Sequence, residues 1–176
     1  MRGPSPGPAT AEWPVRVLVP GRASGPVLVL DEPLSFWGGM DPHTGEIIDA
    51  RHPQAGSVVT GTVLVMPVGR GSSSSSSVLA EAVRLGTAPA AVVLGAVDVI
   101  VALGAMVPAE LYDAHCPVVV CDEKAYDAVA RAHGAEVVAL AARSVAADSS
   151  GSCGDAGAAA EAPPIAARSR SVVKVH

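Results

Sequence analysis

The apolar positions of this chain change rhythm near residue 60. Before it they come as short Val- and Leu-rich runs, and after it they alternate between strand-like and helix-like spacing. Residues 15–19 and 27–30 read as strands. The segment between them, Pro20-Gly21-Arg22-Ala23-Ser24-Gly25-Pro26, predicts a turn. An irregular stretch then holds Phe36 and Trp37 side by side before Gly38 and Gly39, and a short strand is predicted at Ile47-Ile48. Downstream, residues 63–67 predict a strand and 78–85 a helix stopped by Gly86. Residues 90–94 lack polar alternation, as buried parallel strands do. A short strand at 99–103 and a short helix at 108–113, with proline in its first turn, come next. A strand at 118–121 leads to a helix at 123–133, capped by Asp122 and stopped by Gly134, and 136–140 forms the last strand. The pattern is α/β: a largely parallel sheet with crossover helices, joined to an N-terminal β layer.

The ends differ in composition. Residues 1–14 carry Pro4, Pro6, Pro8 and Pro14 and predict a disordered arm; 142–176 are rich in Ala, Ser, Gly and Pro and predict a disordered tail. The ordered domain is placed at 15–141. Within the tail, Val172-Val173-Lys174-Val175 has the pattern to add to a sheet edge, a partner's included. Hydrophobic residues make up 49% of the chain and aromatics 3%, so the core must be built from small aliphatic side chains. A net charge of −5 leaves no basic footprint for nucleic acid. The most apolar stretch, 88–107, is broken by Pro89, Asp98 and glycines, and the chain start lacks the pattern of a secretory leader. The expectation is a cytoplasmic protein. Cys116 and Cys121 flank a predicted buried strand and Cys153 lies in the tail, a spacing that does not suit metal.

Chemistry concentrates where strand 63–67 meets helix 78–85. There the chain reads Gly69-Arg70-Gly71 and then six serines, Ser72 to Ser77. A glycine turn that delivers hydroxyls and N–H groups to a helix start can receive an anion, and Arg70 adds a guanidinium fork. The composition alone would equally describe a flexible Ser-rich linker, but strong periodic elements abut the run on both sides. Neither a Gly-Lys-Ser/Thr phosphate loop nor a G-x-G-x-x-G dinucleotide turn is present.

Several segments in order resemble the swivel domain of the aconitase X family. They are Pro33-Leu34-Ser35-Phe36-Trp37-Gly38-Gly39, then Asp41-Pro42-x-Thr44-Gly45-x-Ile47-Ile48-Asp49 with His52-Pro53, Gly69-Arg70-Gly71-Ser72-Ser73, and Leu85-Gly86-Thr87-Ala88-Pro89-Ala90. The resemblance spans roughly residues 15–141 and leaves out both ends and the three cysteines. It implies a swivelling β/β/α three-layer domain that closes over a catalytic body carrying an iron–sulfur cluster. The chain is then expected to be a small subunit that binds no cofactor itself and works only with a large, cluster-bearing subunit. Members of this family dehydrate cis-3-hydroxy-L-proline, the substrate expected here, or mevalonate 5-phosphate.

The resemblance further implies that a serine of the loop removes the proton beside the substrate carboxylate, which by position is Ser72, with Ser73 next in line. A helix N-terminus and a neighbouring guanidinium both favour an alkoxide. The substrate-binding candidates are Arg70, Gly71, Ser73, Phe36, Trp37, Gly38 and His52. Each has a plainer role open to it: helix caps for the serines, a surface ion pair for Arg70, core filling for the aromatics, and a structural loop contact for His52. Asp41 and Asp49 read as turn formers, and His43 and His115 have weaker claims to a site. A non-catalytic anion-binding module and a scaffold subunit are the readings outside enzymology.

Overall fold

The computed structural model describes residues 11–139 and 171–175. In chain order the elements are β1 (Ala11–Pro14), β2 (Arg16–Val19), β3 (Gly21–Val29), α1 (Phe36–Gly39), β4 (Val63–Met66), α2 (Ser74–Leu85), β5 (Ala91–Leu94), α3 (Val99–Tyr112), β6 (Val118–Val120), α4 (Glu123–Ala130), β7 (Gly134–Ala139) and β8 (Val172–Val175). The strands lie in the order β1-β8-β7-β3-β4-β5-β6-β2. The run β3-β4-β5-β6 is parallel, whereas the flanking pairs are antiparallel.

β3 joins two half-sheets. Its residues Gly21 to Pro26 pair antiparallel with β7, and Val27 to Val29 pair parallel with β4. Consecutive residues of β4 serve different cores: Leu64 and Met66 pack with α2, α3, Phe36 and Ile47, while Val63 and Val65 pack with α4 and with Val137 and Val173 of the other half-sheet. Such strands are covered on both faces, which is why they read as unbroken apolar runs. The result is the expected α/β fold, with α2 and α3 on one face of the parallel strands and α4 and the second half-sheet on the other.

Five expectations are corrected, the first being the strand at Ile47-Ile48, where only isolated bridges form, Ile47 with Met40 and Glu46 with Val58. The segment predicted to turn at 20–26 is strand, because its small residues still alternate between half-buried and exposed, and Gly25 lies so close to the Gly61 carbonyl that no side chain fits there. The predicted strand at 99–103 and helix at 108–113 are one helix, α3. Asp98 starts it by accepting from the N–H groups of Ile100 (2.8 Å) and Val101 (3.0 Å), and Pro108 sits inside it rather than in its first turn. The helix expected at 123–133 ends at Ala130. Finally, Ala11–Pro14 and Val172–Val175, at the ends of the segments expected to be arm and tail, are the strands β1 and β8, and β8 lies inside this chain's own sheet. The rest of both predicted disordered segments lies outside the described residues, apart from Ser171, as does Cys153.

Candidate functional site

The loops that leave the carboxyl ends of the parallel strands converge, as ligand sites in such sheets require. After β3, residues 30–35 lead into α1. This is a single turn with type II angles, Trp37 at φ −72°, ψ 116° and Gly38 at φ 74°, ψ −6°. Glycine is needed at the second of these positions. The turn splits the aromatic pair: Phe36 is in the core at 1% exposure and Trp37 stands out at 64%. Phe36, expected at the pocket wall, is therefore a core residue, and its burial is the reason.

After β4, the backbone N–H of Arg70 donates to the Leu34 carbonyl (3.1 Å) and joins this loop to the first. Gly71 has φ 117°, and a Cβ there would stand 2.6 Å from Ser75 Oγ and 2.7 Å from Ser35 Oγ. After β5, Asp98 closes on Gly69, where a Cβ would stand 2.6 Å from Asp98 Oδ2. The two glycines that bracket Arg70 are thus fixed by close approach.

The serine run enters α2 earlier than its apolar spacing predicts, so Ser74 to Ser77 are helical. Ser72 and Ser73 are exposed ahead of the helix. Their carbonyls accept from the N–H groups of Ser75 (2.9 Å) and Ser76 (3.1 Å), and the Ser73 hydroxyl makes no capping bond. Ser75 is buried. Its hydroxyl lies 3.3 Å from Ser35 Oγ, accepts from the Trp37 N–H (3.3 Å) and donates to the Arg70 carbonyl (3.5 Å). One side chain stitches the aromatic turn, the arginine loop and α2 together. Sequence reasoning did not single out Ser75 or Ser35.

Beside this junction lies a cleft of about 200 Å³ lined by Glu32, Asp49, Arg51, His52 and Arg70. The Arg70 guanidinium sits 3.3 Å from Asp49 Oδ2, and Asp49 Oδ1 accepts from the Arg51 N–H (3.0 Å). Asp49 is a turn former, as expected, and an ion-pair partner besides. His52 is 4% exposed. Its Nδ1 accepts from the Gln54 N–H (3.1 Å), so Nε2 carries the proton and donates to the Glu32 carbonyl (3.2 Å). Both ring nitrogens are engaged by backbone. Ser72, Ser73, Gly71, Trp37 and Gly38 lie outside the cleft lining. Asp41 accepts from the His43 N–H (2.9 Å) in a turn, and His115 pairs with exposed Asp113 (3.0 Å).

The described residues do not fit an iron–sulfur cluster. Cys116 and Cys121 pack in different cores, and burial pushes both thiols up to about 12, away from the thiolate a cluster needs. Among the described residues no group of three or more His, Cys, Asp and Glu could hold a metal ion. Among them, too, no helix is long and apolar enough to cross a membrane.

Residues 12–145 match the aconitase X swivel domain. The cis-3-hydroxy-L-proline dehydratase of Pseudomonas aeruginosa is 47% identical over 109 residues, which are 62% of this chain and 19% of that protein. The phosphomevalonate dehydratase small subunit of Methanothermobacter thermautotrophicus is 46% identical over 91 residues, 52% of this chain and 70% of that one. The crystal structure of Thermococcus kodakaraensis aconitase X in its holo form superposes with a TM-score of 0.60 at 34% identity, covering 72% of this chain and 89% of that chain. The matched part spans only about a fifth of the cis-3-hydroxy-L-proline dehydratase (19%) but most of the archaeal small subunit (70%). The order of motifs, the layered fold and the match over residues 12–145 agree: the chain belongs to the aconitase X swivel-domain family.

Proposed function

We propose that this chain is the swivel subunit of a cytoplasmic hydro-lyase that dehydrates cis-3-hydroxy-L-proline together with a large catalytic subunit. What supports the reading is Arg70 on a small polar cleft, followed two residues later in the chain by the exposed Ser72 ahead of α2. Removal of a proton beside a carboxylate needs a base and a cation to hold the carboxylate as charge grows on it. Ser72 is the base in this reading. The α2 N-terminus and the Arg70 guanidinium lower the cost of its alkoxide. Arg70 holds the carboxylate while Asp49 holds Arg70. Ser73 and the Gly71 backbone border the proton-transfer site, Trp37 and Gly38 form its outer lip, and His52 braces the cleft through its two backbone bonds. The Lewis acid that draws off the hydroxyl is assigned to an iron–sulfur cluster on the large subunit.

An apolar surface that no described residue covers supports the need for a second subunit. α3 exposes Val99 (73%), Leu103, Met106 and Leu111 (66%), far more than a helix facing water carries. The test is reconstitution with the large subunit and assay of cis-3-hydroxy-L-proline against mevalonate 5-phosphate. Dehydration of the hydroxyproline only when both chains are present is the expected result. A large subunit equally active alone, or an assembled enzyme that accepts neither compound, overturns the proposal.

A further inference from the structure

The five residues of the cleft are not equivalent in charge or in commitments. Asp49 is spent: one oxygen takes the Arg70 guanidinium and the other the Arg51 N–H. Arg70 is spent in part on Asp49. His52 is a neutral ring held at both nitrogens by backbone. That leaves the Glu32 carboxylate and the Arg51 guanidinium, both exposed, which have no ion-pair partner among the described residues.

The backbone that carries these two groups is braced across the cleft. The Glu32 carbonyl is tied to His52, and next to it the Asp31 N–H donates to Gln54 Oε1 (3.2 Å) while Gln54 Nε2 donates to Asp31 Oδ2 (2.6 Å). Segment 31–32 is thereby clamped to segment 52–54, with Arg51 one residue away. A free anion and a free cation therefore face one small cleft from a shared frame.

From this we infer that Glu32 and Arg51 are specificity-determining residues that read the two charges of an imino acid. Glu32 accepts the ring ammonium, and Arg51 joins Arg70 at the carboxylate. This deepens the proposed function and rests on it. A cleft with both signs of charge complements a zwitterion, whereas a phosphorylated hydroxy acid would bring its anionic ends toward Glu32 and be disfavoured.

The test uses the assembled two-subunit enzyme and two inhibitors that differ at one ring atom: L-proline, and tetrahydrofuran-2-carboxylate, which has an ether oxygen in place of the ammonium. In the wild type, L-proline should inhibit turnover of cis-3-hydroxy-L-proline at least about 10-fold more tightly, the range of a charge-assisted hydrogen bond. Glu32→Gln should erase that preference and Glu32→Asp should restore part of it. Arg51→Gln should weaken both inhibitors together. A preference that survives Glu32→Gln in an active enzyme overturns the inference alone. A wild type that turns over mevalonate 5-phosphate and not the hydroxyproline overturns the proposed function and the inference with it.

Discussion

Six identical side chains in a row take up different positions. Ser72, Ser73, Ser74 and Ser77 are exposed, whereas Ser75 and Ser76 are buried. Ser76 bonds back to the Ser73 carbonyl (2.6 Å), a local contact, while Ser75 reaches Ser35, Trp37 and Arg70. This division separates two variants. Ser72→Ala should lower turnover of the assembled enzyme by about 100-fold or more, the scale of a lost general base, and leave association and melting unchanged. Ser75→Ala removes a buried hydroxyl that links Ser35, the Trp37 N–H and the Arg70 carbonyl and should instead destabilise the fold by roughly 0.5–1.5 kcal/mol, read by thermal unfolding. Normal turnover in Ser72→Ala would remove that residue as base. The strand–helix junction that carries the proposed site was legible in the sequence because periodic elements abut the Gly-Arg-Gly-Ser run on both sides. The assignment within the run was not, since a repeat of one residue carries no periodicity to mark the buried positions. Glu32 and Arg51 stayed hidden for a related reason: they are 19 positions apart and meet only through the His52 and Gln54 contacts.

At the scale of elements, the site depends on how closely α2 and α3 approach. Gly104 permits that approach: a Cβ there would lie 2.9 Å from the Ser76 carbonyl oxygen and 3.0 Å from Leu79 Cβ. The first of these is backbone and cannot swing aside. Gly104→Ala should therefore push the helices apart and cost about 1–3 kcal/mol despite alanine's better helix propensity, because overpacking outweighs the gain. A denaturation midpoint at or above the wild-type value would show that the helices yield freely. The same contact explains why α3 was misread. Its buried residues Val101, Gly104, Ala105 and Pro108 do recur at helical spacing, but Val99, Leu103, Met106 and Val107 on the outer side are apolar too. With both faces apolar the helical period disappears, and a β-branched start then imitates a strand. α4, which keeps polar residues outside, was legible from its Asp122 cap onward.

For the molecule as a whole, the decisive pairing is the one most distant in sequence. β8 lies between β1 and β7, with Val173 opposite Trp13 on one side and Val137 on the other, and Val173 is fully buried. The local pattern at 172–175 identified a strand, but four residues cannot name partners that stand more than 30 positions away. Removing residues 171–176 should take away the strand that β1 pairs with, bare the edge of β7 and open the cluster that Val173 shares with α4. Losing Val173 alone forfeits about 1.5–3 kcal/mol of burial. The Lys174–Glu12 ion pair (3.0 Å), which is largely exposed, adds little. The truncated chain should melt at least about 5 °C lower. Trp13 provides a local reporter, because its indole Nε1 is buried with no hydrogen-bond partner among the described residues and Trp37 is already open to solvent. With Trp37 replaced by phenylalanine, the emission of Trp13 should shift to the red on truncation. An unshifted spectrum and an unchanged melting point would mean that the two half-sheets hold together without β8, through β3 alone.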